Sequence, residues 1–338
     1  MNIQTIGLDL AKNVFQVHAV DQHGHTVFKK RLNRNKLLPF FATLPCCTIG
    51  TEACSSASYW ARQLQRLGHV VRQMSPQYVK PYVKTNKNDA NDAEAICEAV
   101  TRPNMRFVPT KTIEQQDIQA IHRIRERLVR ERTALINQTR GLLREYGVFL
   151  PLGRSAFKSN IIDAIESAEN DLSMLTRELM TDQLEQLREL EQRINQYDHR
   201  IDRAFRDNPL CKRLAEVSGV GPMAATAIVS AVGDAGVFRN GRQLAAWLGL
   251  VPRQHSSGSQ TRLLGISKRG NTYLRTLLIH GARAVLRYSR GKDDPRSRWL
   301  RALSARRGFN RACVALANKN ARIIWALMVR GTTYQPAA

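Results

Sequence analysis

Acids are scarce in this chain. Of 338 residues, 28 are Asp or Glu against 52 Lys or Arg, a formal charge of +24. From Lys268 to Arg330 the imbalance reaches sixteen Lys and Arg against Asp293 and Asp294. A solvated helical surface accounts for part of this, but so much charge of one sign repels itself without counter-ions, so a polyanionic partner is expected. Cysteine is sparse and unpatterned. Cys46, Cys47, Cys54, Cys97, Cys211 and Cys313 form no CxxC pair and have no paired histidine spacing. That argues against a zinc site or a disulfide framework and leaves packing roles in a reducing cytoplasm. No apolar run is expected to span a bilayer, and no signal peptide precedes the first strand, so nucleic acid is favoured over an anionic membrane. There is no zinc finger, basic zipper or recognition helix to read DNA sequence directly.

The patterning predicts an α/β region followed by a largely helical remainder. Residues 1–110 contain short β-branched runs near 3–10, 14–20, 25–31, 47–50 and 69–73, punctuated by turn residues such as Asp21-Gln-His-Gly. Helices are expected at 55–67 and 92–101. The first three strands suit an antiparallel meander, with alternating helix and strand after it. Residues 111–207 hold a single proline, Pro151, and few glycines. Apolar residues recur every three, four or seven positions from Leu172 to Phe205, which predicts a long amphipathic helix paired with an earlier one over 113–146. A coiled-coil hairpin and an ordinary bundle both satisfy that spacing. Residues 208–338 read as a compact helical domain, with helices near 223–232, 242–248, 272–287 and 311–329. The polar stretch 252–267, rich in Ser and Gly, is expected as an exposed loop.

Four acids stand out. Asp9 ends the strand in Ile6-Gly-Leu-Asp-Leu-Ala-Lys, Glu52 follows the short strand in Cys47-Thr-Ile-Gly-Thr-Glu, and Asp89 and Asp92 open a helix in Asn88-Asp-Ala-Asn-Asp-Ala. Phosphodiester chemistry profits from two Mg²⁺ ions about 3.5–4 Å apart, bridged by carboxylates. Strand ends and a helix face at i,i+3 spacing could bring such ligands together. Each acid also has an ordinary explanation: Asp9 ends a strand, Glu52 caps the next helix, Asp89 is an N-cap and Asp92 complements the helix dipole.

Two further segments carry chemistry. In Leu214-Ala-Glu-Val-Ser-Gly-Val-Gly-Pro-Met, Gly219 and Gly221 permit a tight turn before a helix start that Pro222 suits. This is either a helix-hairpin-helix that holds a phosphate on backbone N–H groups or a plain packing corner. In Pro252-Arg-Gln-His-Ser-Ser-Gly, serine precedes glycine on the polar stretch, where a DNA backbone could approach closely. Arg253, Arg262, Lys268, Arg269 and Arg275 could hold a phosphate there, and His255 could act as a base or stand by. Composition alone allows a phosphate-binding loop without catalysis.

The order Asp…Glu…Asp-x-x-Asp, together with the serine segment, resembles the DEDD transposases of insertion-sequence family one-hundred-and-ten, and most of all its eleven-eleven subgroup. The resemblance covers essentially the whole chain. It implies a ribonuclease-H-like (RuvC-like) N-terminal domain at 1–110, a helical coiled-coil segment at 111–207 and a C-terminal transposase domain at 208–338. It implies Mg²⁺ (or Mn²⁺) at Asp9, Glu52, Asp89 and Asp92, and Ser257, with Ser256 a lesser alternative, as a nucleophile forming a phosphoserine link to DNA. Donor and target DNA, a noncoding bridge RNA and further copies of the chain, in a dimer or tetramer, are its implied partners, in a prokaryotic cytoplasm. The competing readings are a metal-dependent nuclease of resolvase type and a nucleic-acid-binding protein without catalysis.

Overall fold

The computed structural model describes residues 2–84, 88–258 and 260–335. The chain forms two compact units. One comprises residues 1–113 with 232–239, the other residues 114–231 with 240–338. Most of the helical stretch 111–207, from Glu114 on, shares the second unit with the C-terminal helices.

The first unit is built on a six-stranded mixed sheet of order β3-β2-β1-β4-β5-β6. Its strands are β1 (Thr5–Asp9), β2 (Val14–Val20), β3 (Thr26–Asn33), β4 (Thr48–Glu52), β5 (Val70–Met74) and the short β6 (Phe107–Val108). β1 pairs antiparallel with β2 and parallel with β4, and β5 continues the parallel set. Helices α1 (Leu37–Ala42), α2 (Ala57–Arg66), α3 (Pro76–Val79) and α4 (Asp89–Val100) complete the unit.

The pleat assigns the two faces. Ile6, Leu8, Phe15, Val17 and Ile49 bury against Trp60, Leu64 and Phe41, with the Phe15 and Trp60 rings edge to face at 5.1 Å. Each such side chain contributes about 1.5–3 kcal/mol on leaving water. On the opposite face β1 and β4 present Gly7 and Gly50 to α4. A Cβ on Gly7 would lie 2.0 Å from the Ala93 carbonyl oxygen, and one on Gly50 would lie 2.8 Å from Val100 Cβ. Glycine at these two positions is what lets the helix lie on the sheet.

In the second unit, α5 (Ile113–Arg144), α6 (Arg154–Glu166) and α7 (Met174–Asp207) share one core of Leu128, Leu135, Leu143, Phe157, Ile161 and Leu187. The two long helices are therefore joined through a third helix that shares their core, a small bundle rather than a bare hairpin. Arg125 of α5 pairs with Asp198 of α7, with Nη2 3.3 Å from Oδ2. After these come α8 (Pro209–Ala215), α9 (Pro222–Val232), α10 (Gly241–Trp247), strands β7 (Pro252–Ser257) and β8 (Gln260–Ile266), then α11 (Thr272–Arg287), α12 (Pro295–Arg307) and α13 (Phe309–Arg330).

Three expectations are corrected here. The polar stretch 252–267 is a two-stranded antiparallel hairpin, not a loop. Among the described residues one helix, α13, is long and apolar enough to cross a membrane by length and composition. Its Ala312, Cys313, Leu316, Ala317, Ile324 and Leu327 are buried, so its apolar stripe serves the core of the unit. Cys46 and Cys54 are exposed, so only the other four cysteines are packing residues.

Candidate active site

Asp9 and Glu52 are the last residues of two adjacent parallel strands. The register Leu8↔Thr51 brings them one step further along the same ladder. Side chains alternate across a sheet, so Asp9 follows Gly7, and Glu52 follows Gly50, onto the face that α4 covers. Asp89 and Asp92 occupy the first turn of α4. The N-cap of that helix is Asn88, whose Oδ1 accepts from the Ala90 N–H at 2.7 Å, so Asp89 does not have the capping role that was one of its readings. The helix after β4 starts at Ala57 with Ser56 in the cap position.

α4 crosses the strands rather than running along them. Glu94, near its start, bonds Lys29 of β3 at 2.8 Å, Ala93 and Cys97 sit over Gly7 of β1, and Val100 sits over Gly50 of β4. The helix acids thus begin toward the β2–β3 side, in the helical layer, while Glu52 leaves the sheet at β4. All four carboxylates belong to one face of the sheet and are hard oxygen donors suited to Mg²⁺. Among the described residues, however, no three His, Cys, Asp or Glu side chains are grouped to hold a metal ion. The expected convergence into a closed ligand set is therefore not seen.

The serine segment has a clear local geometry. In the hairpin, His255 opposes Arg262, Ser256 opposes Thr261 and Ser257 opposes Gln260. Directly opposed residues share a face, as do residues two apart on one strand. Ser257, His255 and Arg262 therefore lie on one face. Ser256 lies on the other, where its Oγ accepts from Gln254 Nε2 at 2.7 Å. Every described residue of β7 is exposed, and Gly258 begins the turn with φ of +57°.

The basic residues expected around this segment divide into two groups. Arg253, Arg262, Lys268 and Arg269 are exposed, Lys268 in a left-handed conformation with φ of +55°. Arg275 is corrected. It is 7 % exposed, with Nη1 donating to the Leu248 and Arg269 carbonyls, each at 3.1 Å, and Nη2 to Thr272 Oγ1 at 3.0 Å. A guanidinium spent on backbone carbonyls is not presented to a phosphate; it ties together the two ends from which the hairpin rises. Gly249 and Gly270, both at positive φ, allow the close crossing there, since a Cβ on Gly270 would sit 1.8 Å from the Trp247 oxygen.

The two glycines of the corner differ in their surroundings. Gly219, with φ of +89°, packs on Gly281 of α11, so it serves packing. Gly221 has open space where a Cβ would be, and it is exposed with Pro222 at the start of α9. Asn320 Nδ2 donates to the Ser218 carbonyl at 2.9 Å and fixes the turn from α13.

One cluster escaped the sequence reading. His122 of α5 is 3 % exposed, with Nε2 3.0 Å from Thr226 Oγ1 and Nδ1 3.0 Å from Tyr273 Oη. Its signal was a histidine four residues beyond Ile118, on the buried stripe of an amphipathic helix.

Comparison with known proteins bears on both parts of the chain. Residues 6–148 match a DEDD transposase family model of the IS110 type, and residues 211–298 match the model described as transposase IS116/IS110/IS902 family. A probable family 20 transposase of Pseudomonas aeruginosa is 54 % identical over 99 % of this chain and 100 % of its own length. This chain belongs to the IS116/IS110/IS902 family of transposases. The transposase for insertion sequence element IS1111A of Coxiella burnetii is 47 % identical, covering 100 % of this chain and 93 % of its own. That for IS1328 of Yersinia enterocolitica is 38 % identical over 98 % of this chain and 99 % of its own. The protein is accordingly a DNA transposase, an enzyme of transposition whose substrate is DNA. Membership in a DEDD family suggests a divalent metal.

Proposed function

We propose that this transposase cuts and rejoins DNA through a covalent bond between Ser257 and a DNA phosphate. The reading is carried by the pleat of the hairpin, which groups Ser257 with His255 and Arg262 beside the Gly258 turn and leaves Ser256 bonded to Gln254 on the other face. In the first step Ser257 Oγ attacks phosphorus. The Oγ–P bond forms as the bond to a deoxyribose oxygen breaks, the serine proton passes to His255 or water, and the leaving oxygen takes up a proton. In the second step a hydroxyl of the incoming strand attacks the phosphoserine, and Ser257 regains its proton. One ester is made for each broken, so no ATP is needed. Arg253, Arg262, Lys268 and Arg269 neutralise the phosphate oxygens, and the exposed start of α9 at Gly221 holds a neighbouring phosphate.

Asp9, Glu52, Asp89 and Asp92 are the residues that would hold Mg²⁺ (or Mn²⁺), which when bound stabilises charge on the attacking and leaving oxygens. Their sheet order and strand directions support a ribonuclease-H-like reading of the first unit. Sequence choice falls to a bridge RNA that pairs with donor and target, in keeping with the family resemblance and the excess positive charge. The enzyme works as a dimer or tetramer on DNA in the cytoplasm. Exposed Phe149, Leu152, Met174 and Leu175, around the ends of the long helices, offer a surface for a second copy.

The test is strand exchange by purified protein with Mg²⁺, its flanking RNA and matching DNA. Ser257→Ala is expected to abolish exchange while nucleic-acid binding persists. Strand cutting that survives Ser257→Ala but not Asp9→Ala would instead establish a resolvase-type nuclease.

A further inference from the structure

A groove of about 560 Å³ runs along the second unit, between α13, α12 and the start of α10. Its floor is one stripe of α13, from Ala315 through Asn318 and Arg322 to Ala326. Gly241 closes against that stripe, because a Cβ there would lie 2.9 Å from Arg322 Cα. Two indoles, Trp299 and Trp325, and three cations, Arg242, Lys319 and Arg322, line the groove, and no carboxylate does. Trp299 is 37 % exposed, and the Lys319 ammonium lies 5.0 Å from its ring centroid. α12 buries only Ser297 and Leu300, so burial of the helix does not account for a large aromatic at position 299.

We propose that this groove holds an unpaired nucleotide of single-stranded DNA, its base stacked on Trp299 and its flanking phosphates on Lys319, Arg322 and Arg242. The Lys319 ammonium over the indole face would give place to a base and pass to its phosphate, and a lining of indoles and cations without an acid matches such a nucleotide. The volume lies within the range of about 300–1,000 Å³ that suits small-molecule-sized ligands. A paired base is already covered on both faces by its neighbours in the stack, so the indole selects an unpaired one. The groove also backs onto the serine hairpin. Asn318, which lines it, donates from Nδ2 to the Leu250 carbonyl at 3.2 Å, two residues before β7. DNA rather than RNA is the assigned occupant because the substrate of transposition is DNA, and a strand opened at the hairpin leaves unpaired nucleotides beside it. The assignment goes beyond the strand-exchange chemistry and stands whether or not Ser257 is the nucleophile.

The test is fluorescence anisotropy with the full-length protein, using labelled oligo-dT, the same length of duplex DNA and oligo-rU, on ice without added metal. Trp299→Ala is expected to weaken oligo-dT binding about tenfold while leaving duplex binding within about twofold, and Trp299→Phe to restore most of the loss. Lys319→Ala is expected to weaken oligo-dT binding and lessen its salt dependence. Ultraviolet cross-linking of iododeoxyuridine in oligo-dT, read by peptide mass spectrometry on wild-type protein, is expected to mark Trp299 and needs no variant to fold. Equal loss for single strand and duplex, an oligo-dT affinity indifferent to Trp299, or oligo-rU bound at least as tightly through the same indole would each overturn the assignment. If Ser257→Ala still exchanges strands, the function proposed above fails while this result is unaffected.

Discussion

His122 Nδ1 lies 3.0 Å from Tyr273 Oη, and the pair joins the long helix α5 to the first turn of α11, the helix that follows the serine hairpin. The hydrogens along this chain can be placed in order. Thr226 Oγ1 donates to the Pro222 carbonyl at 2.8 Å, so it accepts from His122 Nε2–H, and the single tyrosine proton goes to Nδ1 in preference to the Met223 sulfur 3.7 Å away, a weaker acceptor. That arrangement needs a neutral imidazole. Burial, aided by nearby Arg125, pushes the His122 pKa down to about 4, and burial pushes that of Tyr273 up to about 12.

Stability should therefore fall on acidification. Between the ordinary histidine value of 6.5 and about 4, the unfolded chain binds a proton that the folded chain does not. Folding thus loses free energy as pH drops through that window, by an amount on the order of 3 kcal/mol in all. Thermal melts of wild type and His122→Gln from pH 7 to pH 4 check this. The wild type is expected to lose Tm more steeply, and parallel curves would contradict the account.

Arg275 is expected to behave as an anchor. Arg275→Ala strands the Leu248 and Arg269 carbonyls and should cost about 2–4 kcal/mol. Arg275→Lys keeps the charge but cannot span both carbonyls and Thr272, so it should recover little. Hydrogen exchange read on peptides covering 250–270 should quicken in both variants. Loss of DNA affinity with unchanged exchange would return Arg275 to phosphate binding.

Gly7→Ala places a methyl group against the Ala93 carbonyl and the Cys97 amide. Overpacking of this kind costs about 1–3 kcal/mol, and contact with backbone puts it at the upper end. Chemical denaturation should register that loss. Gly24→Ala, where a Cβ meets nothing but φ is +84°, should cost less.

Asn320→Leu should cost about 1–2 kcal/mol by removing the donor to the Ser218 carbonyl. The effect on DNA affinity should exceed that of an equally destabilising core change such as Leu316→Ala, because the turn at 216–221 loses its hold. Equal effects on affinity would reduce the glycine corner to packing.

The sequence was legible where one face of an element is buried. β2 and α11 match their expected bounds, and β1, β3, β4 and β5 lie within three residues of theirs, because apolar alternation marks them, whereas the two-residue β6 was not expected. The hairpin was illegible for the opposite reason: both faces of β7 are exposed, so 252–257 carries no alternation and reads as loop. α12 was equally silent, burying only Ser297 and Leu300 among arginines. For the acids, chain order and element ends were readable. Their spacing in three dimensions was not, because it depends on the angle at which α4 crosses the sheet. Arg275 was misassigned because a buried guanidinium and a phosphate-binding one look alike in a basic sequence.

The most direct test of the central claim is mass spectrometry of the trapped reaction. Trypsin should release residues 254–262, bounded by Arg253 and Arg262, from protein stopped mid-reaction and treated with nuclease. The account predicts a nucleotide remnant on this peptide, placed on Ser257 by fragmentation and absent from Ser257→Ala. A remnant on Ser256, or complete strand exchange with the peptide unmodified at every time point, would contradict it.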